Sequence, residues 1–274
     1  MNLSTTEQAA ELKLLQKAIK ASLEAGKEIL NFYNSEFEVE FKRDNSPLTS
    51  ADKASNKVIE RYLQQTNIPI LSEEGKSIPY NERKNWQKLW IVDPLDGTKE
   101  FINKNGEFTV NIALVENGIP IMGVIYLPVK KTLYFGSRVS NSFIQTNIEF
   151  QPDFEMDLNS PDLKKMPLPS DARKFCAVGS RSHMNQQTQD YFAKLEAKHG
   201  KIEVISKGSS IKFCMIAEGT ADIYPRFGPT MEWDTAAGQA IVLFAGGKVT
   251  LTDETTPLIY NKENLLNPEF IVFP

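Results

Sequence analysis

Residues 90–101 read WIVDPLDGTKEF, and the organisation of the whole chain turns on them. Leu89, Trp90, Ile91 and Val92 are apolar and suit a buried strand. The stretch then turns polar. Asp93 is expected to close the strand, Pro94 to stop ladder pairing, and Asp96-Gly97 to make a tight turn. Two carboxylates three residues apart thereby sit at a strand end, where connecting segments carry chemistry. Like charges that close repel unless a proton or a cation lies between them. No Lys or Arg separates the two. A hard divalent cation is the natural partner, because Mg²⁺ binds through one or two carboxylates plus substrate phosphates.

At 274 residues the chain makes one large or two modest domains. Hydrophobic content of 41% and charged content of 24% fit a globular protein rather than a disordered one. The net charge of −4 argues against a general nucleic-acid binder, whereas a small anionic substrate needs only a local positive pocket. Cys176 and Cys214 are the only cysteines and form no CxxC pair. With only two histidines as well, the composition argues against a His/Cys zinc site. The thiols read as small buried hydrophobes in a reducing compartment. Met1–Lys20 has no apolar signal region. The longest apolar run, Ala240–Ala245, falls far short of the ~20 residues that span a bilayer. A cytoplasmic protein with no integral membrane segment is expected.

Working outward, Leu12, Leu15, Ile19, Leu23 and Leu30 recur at helical spacing and predict one amphipathic helix over Thr5–Tyr33. Ser4 or Thr5 would cap it, and Gly26 is a mild weakness. Glu36–Phe41 alternates like a half-buried strand. Asn45-Ser46-Pro47 reads as a turn, and Thr49 or Ser50 caps a second helix. Asp52, in that helix's first turn, is by itself a charge favourable to the helix dipole. Ile68–Leu71 is a short strand ending in Ser72-Glu73-Glu74-Gly75. Adjacent residues on an extended chain point opposite ways, so one of the two glutamates is surface charge. Lys76–Gln87 is a polar loop.

Beyond the central stretch, Asn105-Gly106 carries a hairpin signal. The strands expected there are Glu107–Val115, Ile119–Pro128, Thr132–Gly136 and Phe143–Phe150, in a mostly antiparallel sheet. The proline-rich Gln151–Arg173 reads as a connection. From Lys174, strands at Phe175–Gly179, Ile202–Ile205, Ala221–Pro225 and Lys248–Thr252 alternate with helices at Gln186–His199, Ser209–Glu218 and Thr235–Ala245, the pattern of an α/β layer. On its own, Trp233–Gly238 is a buried helix start with Asp234 as its cap.

DPLDGT at Asp93–Thr98, with an aromatic close behind it, is similar to the signature of the inositol monophosphatase superfamily of Mg²⁺-dependent, lithium-sensitive phosphatases. LSEEG at Leu71–Gly75 and WDTAAGQAIVLFAGG at Trp233–Gly247 resemble that superfamily's other two motifs, in the same order. Pro94–Leu114 and Gly208–Gly238 resemble most its 3'(2'),5'-bisphosphate nucleotidase branch. The resemblance implies an α+β / α/β fold, a layered α-β-α-β-α sandwich. Residues 1–160 would form an α+β half with the antiparallel sheet and the metal site, and 161–274 an α/β half with the substrate pocket.

It implies Mg²⁺, two or three ions per site, on Glu73, Asp93, the Leu95 carbonyl, Asp96 and Asp234. Asp52 would hold Thr98, which together with Glu73 directs an activated water at phosphorus. Gly97 would let the backbone approach the phosphate. Arg181, Lys207, Lys212 and Arg226 are the candidates for a second phosphate, and Ser180, His183 and Ser209 lie in stretches resembling the nucleotide pocket. The activity implied is hydrolysis of the 3'-phosphate of an adenosine bisphosphate, 3'-phosphoadenosine 5'-phosphate, with its sulfonated form as a second substrate. The alternatives are an inositol or fructose phosphatase with the same metals, and a nucleotide or metal sensor without turnover. Some enzymes of this kind are assigned to the inner face of the bacterial inner membrane.

Overall fold

Seven strands drawn from residues 70–165 form one sheet whose spatial order follows chain order, and helices cover both of its faces. The computed structural model describes residues 3–34, 39–41, 47–169, 173–181 and 184–274, without the side chains of 39–41 and 47–48. The first elements are α1 (Thr5–Tyr33), β1 (Val39–Phe41), β2 (Pro47–Thr49), α2 (Ser50–Leu63), β3 (Ile70–Ser72) and α3 (Tyr80–Arg83). There follow β4 (Lys88–Asp96), α4 (Thr98–Ile102), β5 (Thr109–Glu116), β6 (Ile119–Leu127), β7 (Thr132–Ser137), β8 (Asn141–Gln145) and β9 (Lys164–Lys165). The C-terminal portion holds β10 (Cys176–Ser180), α5 (Gln186–His199), β11 (Glu203–Lys207), α6 (Ile211–Glu218), β12 (Tyr224–Arg226), α7 (Glu232–Phe244), β13 (Lys248–Leu251) and β14 (Phe270–Phe273).

In the large sheet β3 runs parallel to β4, and every other neighbour is antiparallel. Side chains alternate between two cores, as the two-residue period of a strand requires. Trp90, Val92, Val110, Ile112, Leu114, Val124 and Phe135 face the core shared with α1 and α2. Leu89, Ile91, Ala113, Val115, Ile125 and Tyr134 face α6 and α7. Burial on both faces explains why these strands read as continuous apolar runs. Beyond α6 and α7, β10 pairs in parallel with β11, and β12, β14 and β13 form an antiparallel sheet. Phe192 and Leu195 of α5 pack outside these strands against Ala177 and Ile271. The layers therefore run α, β, α, β, α, the sandwich expected. Among the described residues no helix is long and apolar enough to cross a membrane. Cys176 and Cys214 are buried and unbonded.

Several local expectations are corrected. β4 does not end at Asp93: pairing passes a bulge at Pro94-Leu95 and resumes at Asp96 opposite Thr109. Asn105-Gly106 does not turn a hairpin. It follows α4 and leads into β5, with left-handed backbone at Lys104 and Gly106. Asn117-Gly118, both at positive φ, does turn a hairpin between β5 and β6, at the Asn-Gly-Ile junction of the strands expected over 107–115 and 119–128. β8 stops at Gln145, and β14 was not anticipated. The polar 76–87 segment contains α3, whose buried Arg83 donates to Asn261 Oδ1 and to the carbonyls of Lys262 and Glu263. Of the expected strand Glu36–Phe41 and turn Asn45-Ser46-Pro47, residues 36–38, 45 and 46 lie outside the described residues.

Gly26 is more than a weak spot. A Cβ there would lie 2.4 Å from Tyr126 Cε1 and 3.1 Å from Pro128 Cγ. The Tyr126 ring is buried and its hydroxyl donates to the Ile148 carbonyl at 2.9 Å, so it has no room to withdraw. Glycine lets α1 sit against β6. Although alanine is the better helix former, Gly26→Ala is expected to destabilise the protein by about 1–3 kcal/mol through overpacking. Urea unfolding measures this, and an unchanged or raised midpoint would refute the close-approach argument.

Candidate active site

Parallel pairing of β3 and β4 sets Ser72 opposite Val92. The next backbone bond, from the Glu73 N–H to the Val92 carbonyl at 3.1 Å, carries Glu73 alongside Asp93. Asp93 is 1% exposed, and its Oδ1 accepts from the Leu95 N–H at 3.0 Å. From α2, Ser55 Oγ donates to the Pro94 carbonyl at 2.7 Å and holds the bulge. α7 begins at Glu232, three residues before the position expected, so Asp234 lies within its first turn and accepts from the Met231 N–H at 2.8 Å. The capping role and the site role of Asp234 thus coincide.

Glu73, Asp93 and Asp234 offer carboxylate oxygens within 4.8 Å of one another. Asp96 is not in that triplet but lines the same cavity, of about 290 Å³, with Glu73 and Asp234. Glu74 is outside the triplet. Burial, then the charges of Glu73, Asp96 and Asp234, push the Asp93 carboxyl well above its ordinary range. Burial first, then Asp96 and Glu73, do the same to Asp234. Burial also raises Asp96, against the opposing hydrogen bond from Ser210. Asp93, Asp96 and Asp234 form no ion pair among the described residues. Oxygen-only donors, crowded and desolvated, fit a hard divalent cation and leave no role for a soft metal.

Beside the triplet, Thr98 Oγ1 donates to Asp52 Oδ1 at 3.3 Å. The other Asp52 oxygen accepts from the Thr49 N–H at 2.7 Å and the Thr49 hydroxyl at 2.6 Å. Asp52 therefore closes a capping box on α2 and holds Thr98 at once. Thr98 Oγ1 also stands 3.5 Å from the Leu95 carbonyl. Gly97, at φ +93°, makes the turn into α4, a helix of only five residues, which brings little dipole of its own to the site.

Two buried cations line the same cavity as the acids. Lys212 is 4% exposed and Arg226 7%, and both line the cavity. Burial, ahead of the opposing pull of Asp96, lowers Lys212 to about 8. Its Nζ donates to the carbonyls of Lys207 and Ser209. Arg226 Nη2 donates to the Pro229 carbonyl at 2.8 Å, while its Nε is buried with no partner. Ser180 and Ser209 also line the cavity; Ser209 sits at φ +43° and its hydroxyl has no partner.

Arg181 is not part of this lining. Its guanidinium makes a two-point contact with Glu107, at 3.0 and 3.2 Å, and Lys207 reaches the same carboxylate at 2.9 Å. His183 lies outside the described residues. Lining residues not singled out from the sequence include the buried Glu100 and Tyr224; Ser210, in the Gly208–Ser210 stretch that resembles the nucleotide pocket, instead holds Asp96. Asn111, behind Asp96, was also missed. It had a signal, being the lone polar residue in VNIALV, residues 110–115.

A cluster of carboxylates at a strand end and a helix start, sharing a cavity with two buried cations, is a phosphoester-handling site in outline. The family profile described as the inositol monophosphatase family matches residues 11–269. The chain is 45% identical over 241 residues to the 3'(2'),5'-bisphosphate nucleotidase CysQ of Buchnera aphidicola subsp. Acyrthosiphon pisum, covering 86% of this chain and 84% of that one. It is 40% identical over 263 residues to the same-named protein of Salmonella typhimurium, covering 94% and 99%. The crystal structure of CysQ from Bacteroides thetaiotaomicron, a bacterial member of the inositol monophosphatase family, superposes with a TM-score of 0.87 at 52% identity, covering 94% of this chain and 95% of that one. The chain belongs to the inositol monophosphatase family. Members of this family are metal-dependent phosphatases.

Proposed function

We propose that the protein is a Mg²⁺-dependent 3'(2'),5'-bisphosphate nucleotidase that hydrolyses 3'-phosphoadenosine 5'-phosphate to AMP and phosphate, with the sulfonated nucleotide as a second substrate. The observation that supports a ligand with two phosphates is that one cavity holds the acid cluster together with two buried cations, Lys212 and Arg226. A single-phosphate ligand would leave either the acids with their cations or the two basic side chains without a phosphate. A nucleoside bisphosphate brings one phosphate to each, and the unpartnered Arg226 Nε supplies a donor for the second. The relatives named as bisphosphate nucleotidases support the same reading.

In this reading Glu73, Asp93, the Leu95 carbonyl, Asp96 and Asp234 hold the cations, two or three per site. When bound, such cations lower the pKa of coordinated water and neutralise phosphate charge. Thr98, oriented by Asp52, fixes the direction from which water approaches phosphorus. Gly97 lets the turn bearing Thr98 pack closely at a left-handed φ, since a side chain there would meet the Glu107 carbonyl at 3.2 Å and Ser209 at 3.3 Å. Lys212, Arg226, Ser180 and Ser209 bind the rest of the nucleotide.

Phosphate release is to be measured with 3'-phosphoadenosine 5'-phosphate, inositol 1-phosphate and fructose 1,6-bisphosphate while Mg²⁺ is titrated. The expected result is Mg²⁺-dependent turnover with kcat/KM highest for the adenosine bisphosphate. A preference for either sugar phosphate would replace the substrate assignment and leave the metal chemistry standing. Cation binding without turnover of any of the three would favour a sensor.

A further inference from the structure

We infer that Ser210 and Asn111 are positioning residues for the reaction: together they pin one oxygen of Asp96, so that the other is presented to the cavity in a fixed direction. This inference rests on the proposed cation-binding role of the acidic residues. Ser210 Oγ donates to Asp96 Oδ2 at 2.7 Å, and Asn111 Nδ2 donates to the same oxygen at 3.2 Å. Asn111 Nδ2 also donates to Ser210 Oγ at 2.9 Å, which closes a three-membered ring of hydrogen bonds. Asp96 Oδ1 accepts no hydrogen bond among the described residues. The carboxylate is thus clamped on one side and open on the side that lines the cavity.

The clamp joins distant parts of the chain. Asp96 ends β4, Asn111 is on β5, and Ser210 immediately precedes α6. The Ser210 hydroxyl also stands 2.9 Å from the Asp234 carbonyl in α7. Its single proton serves one acceptor at a time, and the nearer, charged Asp96 is the stronger. Ser210 therefore sets the spacing between Asp96 and the turn that bears Asp234, whichever acceptor it serves.

Asn111 shows that this arrangement is kept against a standing cost. The residue is 1% exposed and its Oδ1 is buried with no partner. Reversing the amide would aim that oxygen at the Asp96 carboxylate, so the orphan is forced by chemistry. A valine or leucine would suit this two-sided apolar strand and leave nothing unsatisfied. Buried groups that orient ligand carboxylates affect cation affinity even though they never touch the cation.

The test is calorimetric titration of Mg²⁺, and separately Mn²⁺, into substrate-free protein, together with kinetics and melting temperature. Ser210→Ala and the nearly isosteric Ser210→Cys are expected to weaken cation affinity about 10–100-fold. KM for the nucleotide should hold, and kcat should recover as Mg²⁺ is raised. Ser210→Thr, which keeps the hydroxyl, should retain the wild-type affinity. Because Asn111 acts on the same oxygen, Ser210→Ala combined with Asn111→Ala should lose less than the sum of the two singles. Wild-type affinity in both Ser210→Ala and Ser210→Cys would overturn the inference. So would a Ser210→Thr protein as weak as Ser210→Ala, which would assign the effect to packing. If instead the wild-type protein binds neither cation, the metal reading itself fails, and that outcome is separately visible.

Discussion

Asp93→Asn is expected to lower kcat for phosphate release by at least about 10³-fold, the scale seen when a preorganised electrostatic group is removed from an active site. It is expected at the same time to raise the melting temperature of the cation-free protein at neutral pH. The two effects have one cause. Asp93 is buried against Glu73, Asp96 and Asp234, and its carboxyl is held well above the ordinary range by burial first and these charges second. An acid whose folded pKa lies above its unfolded value near 4 contributes stability that is complete below that unfolded value. The contribution is lost as pH rises through the folded pKa. Without a cation, neutral pH therefore finds the folded protein bearing the repulsion of the cluster. Asparagine removes one charge while its carbonyl still accepts from the Leu95 N–H. Each kcal/mol regained is worth about 2–4 °C in a protein of this size. Melting curves in EDTA should show the variant's advantage over wild type growing between pH 4 and 8, and Mg²⁺ should close the gap by stabilising only the wild type. A wild-type protein more stable than the variant at pH 8 in EDTA would contradict the electrostatic account.

Thr98→Ala is expected to lower kcat by about 10²–10⁴-fold, the span assigned to a positioned group acting on a reacting proton. Cation affinity and melting temperature should stay close to wild type. Thr98 is a half-buried residue at the start of the five-residue α4, so its hydroxyl bears little of the fold. Asp52→Asn separates the two duties of its partner. That carboxylate accepts from both Thr49 groups at the start of α2 as well as from Thr98. The Asp52 variant should lose activity and, in addition, about 1 kcal/mol of stability through the weakened helix start. Stopped-time phosphate assays and thermal denaturation of both variants test this. Equal activity in Thr98→Ala and wild type would remove the hydroxyl from the mechanism.

The layers of the fold were legible because the information was local and repeated. The continuous apolar runs of β5 and β6 and the helical spacing of α1 each needed only a short window of chain. The acids were legible for a different reason: Glu73, Asp93 and Asp96 follow apolar strand residues closely, and Asp234, which alone reads as a helix cap, was singled out by the motif it belongs to. What the sequence hid were contacts between distant segments. Arg181 looked available for a phosphate, but Glu107, 74 residues away in the chain, takes its guanidinium. Gly26 looked like a flaw in a helix because Tyr126, which demands it, lies on another layer. Asn105-Gly106 misled because a left-handed glycine serves the exit from a short helix as well as a hairpin. β14 is four residues following an irregular stretch, too short for a periodic signal.

Glu73 owes its place to β3, a three-residue strand at the free margin of the large sheet. Its companions Asp93 and Asp234 stand on the adjoining interior strand and a buried helix. The weakest support therefore governs how long the assembled centre persists, because marginal strands open locally at less free energy than interior ones. Catalytic lifetime in this molecule is a property of its rim, and strengthening the core would do little to extend it.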